Sequence, residues 1–210
     1  MYVLGIDCAT AACSAAICHD EEIIFWQYEE MARGQAEALV PMIERVLSAA
    51  GRKAMELDLI ASTVGPGAYT GVRIVLSTAQ ALSLAASVPL AGVTTFEAIA
   101  RAQGPQTRGM LVALETKRAD IYVQYFDANG CPVSKPAAVE EAVLPDLFSD
   151  QSLRIAGDAG ERAAAVLRAV GRDIELTGGP VFPDASWVAR LAGERFAVGD
   201  ILAAEPMYLR

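Results

Sequence analysis

Hydrophobic and polar positions alternate in blocks along this chain, and the blocks predict an α/β protein. Tyr2 to Cys8 is an apolar run, Cys13 to Cys18 is small and apolar, and Ile23 to Tyr28 is aliphatic and aromatic. Ala9-Thr10-Ala11 and His19 to Glu22 separate them as turns, so the opening predicts a meander of three antiparallel strands. From Gln35 to Ala50 the period changes. Leu39, Ile43, Val46, Leu47 and Ala50 fall on one helical face, Pro41 lies in the first turns, and Gly51 closes the segment.

Leu57 to Val64 predicts a further strand, Gly65-Pro66-Gly67 a turn, and Gly71 to Ser87 a second helix. That helix is apolar nearly all round, so it needs cover on more than one side. Its small residues, among them Ser77, Ala79, Ala81 and Ser83, permit close approach of another helix. Val88 to Val93 predicts a short strand, and Thr94 caps a helix to Ala102.

Gln103-Gly104-Pro105 marks a boundary, giving lobes 1–102 and 103–210. The second lobe restarts the pattern. Adding 108 to the numbering lays Val3-Leu4-Gly5-Ile6-Asp7 on Leu111-Val112-Ala113-Leu114-Glu115, and Cys13, Ala15 and Ile17 on Ile121, Val123 and Tyr125. Such a repeat points to duplication of one unit. Beyond it, helices are expected near Glu140 to Leu147, Gly160 to Val170 and Asp184 to Glu194, with a strand near Leu153 to Ala156 and a short extended tail from Pro206 to Arg210.

Composition narrows the functional classes. Hydrophobic residues make up 53% and charged residues 20%, which suits a folded globular chain. The net charge of −9 repels phosphate backbones, so RNA contact requires positive charge from another subunit. No signal peptide is read at the start, and no apolar run reaches the length of a membrane span. Cys8, Cys13, Cys18 and Cys131 form no C-x-x-C pair and are expected as reduced, small apolar residues of a cytoplasmic protein. His19 is the sole histidine, in an acidic turn, which argues against a histidine-based metal site or triad.

Two stretches suit phosphate or nucleotide chemistry. Asp7-Cys8-Ala9-Thr10 follows a strand; an aspartate there can orient hydrated magnesium, and a plain Asx turn reads equally well. Gly65 to Arg73 runs from strand to helix. Gly65, Gly67, Thr70 and Gly71 offer close backbone approach and helix-start amides to an anion, or simply a tight turn. Glu115 is the matching acid of the second lobe, placed to flank one cleft with Asp7 if the lobes face each other. The class these residues serve on their own is a small ATPase or kinase.

Four segments together resemble a known family: Ile6-Asp7-Cys8-Ala9-Thr10 with Cys13-Ser14, Leu39-Val40-Pro41-Met42-Ile43, Gly65 to Arg73, and Pro206-Met207-Tyr208-Leu209-Arg210. They resemble the TsaB (YeaZ) family, the dimerisation subunit of the complex that makes threonylcarbamoyladenosine in transfer RNA. The resemblance implies the two-lobed α/β fold of actin, sugar kinases and Hsp70 ATPases, with a reduced second lobe. It implies a non-catalytic subunit that pairs with a catalytic paralogue, TsaD, and with a small ATPase subunit, TsaE. Contact with tRNA is then indirect, at the adenosine next to the anticodon.

The resemblance further implies no tightly bound cofactor. It leaves open ATP or ADP with magnesium at the subunit junction, and a homodimer when the chain is alone. The catalytic paralogue's two metal-binding histidines on the first helix have no counterpart here, where Arg33-Gly34-Gln35 precedes that helix. Cys8 and Glu115 replace a commoner threonine and aspartate of the family, which weakens a working nucleotide site. Old naming of relatives as peptidases fails on residues, since neither metal site nor triad can be assembled. For the partner seam, helical spacing nominates Leu39, Ile43 and Val46 on the first helix, with Ile74, Thr78 and Ala81 on the second.

Overall fold

The computed structural model describes residues 1–104, 107–148 and 152–209. Pro105 of the expected boundary and the terminal Arg210 lie outside the described residues. The chain divides into two compact units. One comprises Met1–Ala98 with Pro183–Met207, and the other is built on Ile99–Phe182.

The first unit holds a five-stranded sheet. Strands β1 (Tyr2–Asp7), β2 (Ala12–His19) and β3 (Glu22–Glu30) form the expected antiparallel meander. Strands β4 (Leu59–Thr63) and β5 (Leu90–Val93) then add in parallel to β1 and to one another, giving the order β3-β2-β1-β4-β5. Both faces of β1 are covered, so it reads as a continuous apolar run. Leu4 and Ile6 point to a core made with helices α1 (Gln35–Ala49) and α2 (Tyr69–Ala86), while Val3 joins Leu59, Ala61 and Val93 on the opposite face. Helix α3 (Thr95–Ala102) starts at Thr94, whose Oγ1 accepts from the backbone N of Glu97 at 3.1 Å. The Glu97 carboxylate accepts in turn from the backbone N of Thr94, closing a capping box.

The second sheet contains β6 (Met110–Glu115), β7 (Asp120–Phe126), β8 (Ala137–Glu140), β9 (Ser152–Ala156) and β10 (Asp173–Leu176). Its order, β8-β7-β6-β9-β10, has two antiparallel pairings followed by two parallel ones, as in the first sheet. The expected offset of 108 carries β1 onto β6 end to end. Duplication is therefore visible in topology as well as in pattern.

Three features depart from the expectations. The helix near Glu140 to Leu147 is present, as a 3-10 turn at Glu141–Val143 leading into α4 (Leu144–Leu147), but strand β8 before it was not expected. Pairing of Ile121 with Val139 and Val123 with Ala137 holds that strand. Second, helix α6 (Ala185–Val198) was assigned with the second lobe, but it packs on the first sheet through Val188, Ala189 and Ala192. The absence of a side chain on Gly5 makes this fit, because a Cβ there would overlap the backbone oxygen of Ala185. Third, Cys8, Cys13 and Cys18 are buried, but Cys131 is exposed, beside the turn after β7. All four are free thiols. Among the described residues no helix is long and apolar enough to cross a membrane.

Candidate functional site

Asp7 ends β1 opposite Ser14 on β2 and is fully buried. Its Oδ1 accepts from the Ala9 backbone N at 3.0 Å and from Thr63 Oγ1, at the end of β4, at 2.5 Å. Its Oδ2 meets no protein donor among the described residues. Helix α6 starts beside it: the Ala185 backbone N donates to Ser14 Oγ at 2.9 Å, and Asp184 caps the helix by accepting from Ser186 N. Burial pushes the Asp7 carboxyl up to about 7; the two hydrogen bonds pull the other way, and the Asp184 carboxylate adds repulsion.

The glycine loop lies on this turn. The Ala68 backbone N donates to the Ala9 oxygen at 2.7 Å. A Cβ on Gly67 would overlap the same oxygen, and one on Gly71 would overlap that of Cys8. The close approach expected toward a ligand is therefore made to the chain's own backbone. Thr10 is half-buried, while Thr70 faces solvent in the first turn of α2. The structure thus brings Asp7, Thr10, Gly65, Gly67 and Gly71 around one turn. It adds Ser14, Thr63 and Asp184, which sequence reasoning missed. Ser14 was detectable as a lone polar residue in an apolar strand and Thr63 as part of the polar pair Ser62-Thr63 that ends β4; Asp184 was not, because α6 was assigned with the other lobe.

Glu115 belongs to the second unit. It ends β6 as Asp7 ends β1. Its backbone N donates to Asp158 Oδ1 at 2.9 Å, and its carboxylate accepts from Arg162 of helix α5 (Gly160–Ala169). Arg162 also holds Glu141 through its Nε at 2.8 Å. Gly157 repeats the glycine device, since a Cβ there would overlap the Ala113 oxygen. Glu115 is thus an ion-paired carboxylate rather than one open to a cation. Among the described residues no group of three or more histidine, cysteine or acidic side chains is arranged to hold a metal ion.

The expected partner seam divides. Leu39, Ile43 and Val46 are core residues of the first unit, because this face of α1 packs on β2 and is buried in one cluster with Leu4 and Ile6. Ile74 and Thr78 are half-buried and Ala81 is exposed. Ala36 and Val40 are exposed apolar residues of α1, and Ala36 joins Ile74, Ser77 and Thr78 in a groove of about 500 Å³ between the helices. Leu84 is 84% exposed on α2.

Sheet order, duplication and paired acidic turns define the class of the actin, sugar-kinase and Hsp70 folds. A hexokinase of Thermus thermophilus superposes with a TM-score of 0.54 over 95% of this chain and all of its own length, at 13% identity, a likeness of fold alone. Residues 28–143 match the sequence model described as TsaD, tRNA N6-adenosine threonylcarbamoyltransferase. The Escherichia coli protein named tRNA threonylcarbamoyladenosine biosynthesis protein TsaB is 28% identical over all of this chain and 95% of its own. YeaZ from Pseudomonas aeruginosa superposes with a TM-score of 0.86 at 26% identity, covering 99% of each chain. The chain belongs to the threonylcarbamoyltransferase family and, within it, to the TsaB (YeaZ) group.

Proposed function

We propose that this chain is a non-catalytic subunit in the formation of threonylcarbamoyladenosine on transfer RNA. It pairs with the catalytic threonylcarbamoyltransferase, TsaD, is joined by the ATPase subunit TsaE, and meets tRNA through them in the cytoplasm. The observation that carries this reading is the character of α2. The 18-residue helix has one charged residue, Arg73. Yet Tyr69, Ser77, Gln80, Ala81, Leu84 and Ala85 all reach solvent. A solvated helix face normally carries charge, whereas the buried centre of an interface is depleted of it.

The Asp7 turn supports the non-catalytic part. Its acid is sealed under Thr63 and the start of α6, and its glycines are filled by the chain's own carbonyls. The proposal assigns no tightly bound nucleotide there, and it gives the small-kinase alternative no acid or base in reach of a substrate. Pairing is tested by mixing the chain with TsaD on a sizing column. Ala81→Arg, at an exposed site, leaves the fold intact and abolishes the complex. An Ala81→Arg chain that is folded and still pairs would move the interface off this face. Steady ATP turnover by the isolated chain, lost on Asp7→Asn, would sink the non-catalytic reading.

A further inference from the structure

Strand β3 has β2 on one side and, among the described residues, no strand on the other. An open edge of nine residues is a template for another strand unless something blocks it. A bulge at Ile24 interrupts the ladder, but from Phe25 to Glu30 the register with β2 is regular. Ile24, Phe25 and Trp26 are 42%, 42% and 51% exposed, the one run of three consecutive exposed large hydrophobic residues described in the chain.

Both faces of this edge are prepared. Phe25 lines a groove of about 550 Å³ with Pro41, Glu44, Ser48 and Ala49 of α1. Gln27 is fixed in its wall by Arg45, whose Nε donates to Gln27 Oε1 at 2.9 Å. On the other face the Trp26 indole donates to Asp184 Oδ2 at 2.9 Å, which holds the ring in place. Acidic side chains flank the apolar centre at both ends, Glu21 and Glu22 at one and Glu29 and Glu30 at the other, all exposed, while in the groove Glu44 stands with Arg45, which is engaged by Gln27.

We propose that the open edge of β3 is a docking site for an extended segment of a partner protein. Side chains on one face of that segment lie on Phe25 and those on its other face on Trp26, and its flanking lysines or arginines meet Glu22, Glu29 and Glu30. Main-chain pairing to an edge gives affinity, and side-chain pockets and end charges give selectivity. The acidic ends select against other occupants. A second copy paired antiparallel about Trp26 would set Glu22 opposite Glu30, like charges in register. Nucleic acid and anionic lipid surfaces are repelled by the same carboxylates. The site is separate from the α2 face and does not depend on pairing there.

The test uses the full chain with Trp187→Phe, so that Trp26 alone reports by fluorescence. The probe is the peptide Lys-Lys-Val-Thr-Val-Thr-Val-Lys-Lys, with a control in which glutamate replaces every lysine. The expected result is saturable binding of the basic probe with a blue shift of Trp26, weakened at least ~10-fold from low to high salt. Glu22→Lys with Glu30→Lys, both exposed, weakens it by a similar factor while circular dichroism is unchanged. Ala81→Arg leaves it intact, which separates this site from the proposed subunit face. Equal binding of both peptides, absence of saturation below ~1 mM, or loss of binding on Ala81→Arg overturns the proposal. So does a concentration-dependent dimer that buries Trp26 without peptide, since the occupant is then a second copy.

Discussion

Replacing Asp7 by asparagine tests whether the turn keeps a neutral acid in its core. The carboxyl is raised from 3.8 to about 7 by burial. Between those values the folded chain holds a proton that the unfolded chain has released. Stability therefore falls as pH rises through the window and levels off above the folded value. The arithmetic of a single site gives a loss of roughly 2.5 kcal/mol between about pH 5 and pH 8. Asparagine keeps an oxygen for Thr63 and Ala9 and has no proton to lose. Urea unfolding of both proteins at several pH values isolates the effect as a difference. The wild type weakens toward pH 8, the variant lacks this component, and the variant is the more stable at pH 8. Carboxyl titration followed by carbon-13 NMR gives the second readout, a midpoint near neutrality. Parallel pH profiles for the two proteins, or a midpoint below about 5, would refute the reasoning.

Gly67→Ala should destabilise the first unit by roughly 2–4 kcal/mol in urea unfolding, because its Cβ meets a backbone oxygen that cannot move without the β1–β2 turn. Arg162→Ala leaves Glu115 and Glu141 without their shared cation, so its melting temperature should drop, and by less at high salt, which screens the repulsion between the two acids. Leu84→Asp, at the most exposed large hydrophobic residue of α2, should weaken pairing with TsaD at least ~10-fold in a binding titration and leave the isolated chain's melting temperature within a degree or two. Alone, the chain should give no tRNA gel shift at physiological salt and sub-micromolar protein, given its net charge of −9.

The first sheet was legible because its strands, even the four-residue β5, read as apolar runs bounded by turn signals, and because α1 keeps a clear helical period. In the second unit β6 and β7 were legible as a copy of the first, and β9 and α5 by their own apolar patterns. β8 and β10 have four residues each, too few to show alternation, and β10 buries only one of them. The placement of α6 was hidden for a different reason. Helical spacing shows that Val188, Ala189 and Ala192 share a face, but not which sheet receives it. The same gap explains the divided seam. Leu39, Ile43 and Val46 form a strong apolar stripe, and a strong stripe is what an intramolecular core needs. The surface that a partner can reach on α2 has a weaker signature, in small residues and missing charge.

The two acidic turns reach one electrostatic result by different routes. A carboxylate that orients magnesium must stay ionised and within reach of water. Asp7 has no cation beside it and is fully buried, so its environment favours the protonated form. Glu115 is half-exposed and keeps its charge company with Arg162, which also ties down Glu141. The glycines behave alike in both halves: Gly67 and Gly157 each leave room for a backbone oxygen of the chain itself. An acid-then-glycine pattern on this fold is therefore compatible with a closed joint as well as with a phosphate site. What separates the two is whether the acid has a neutralising partner and whether the glycine faces empty space. Here both turns are closed, which leaves partner contact to exposed surfaces such as the charge-poor face of α2.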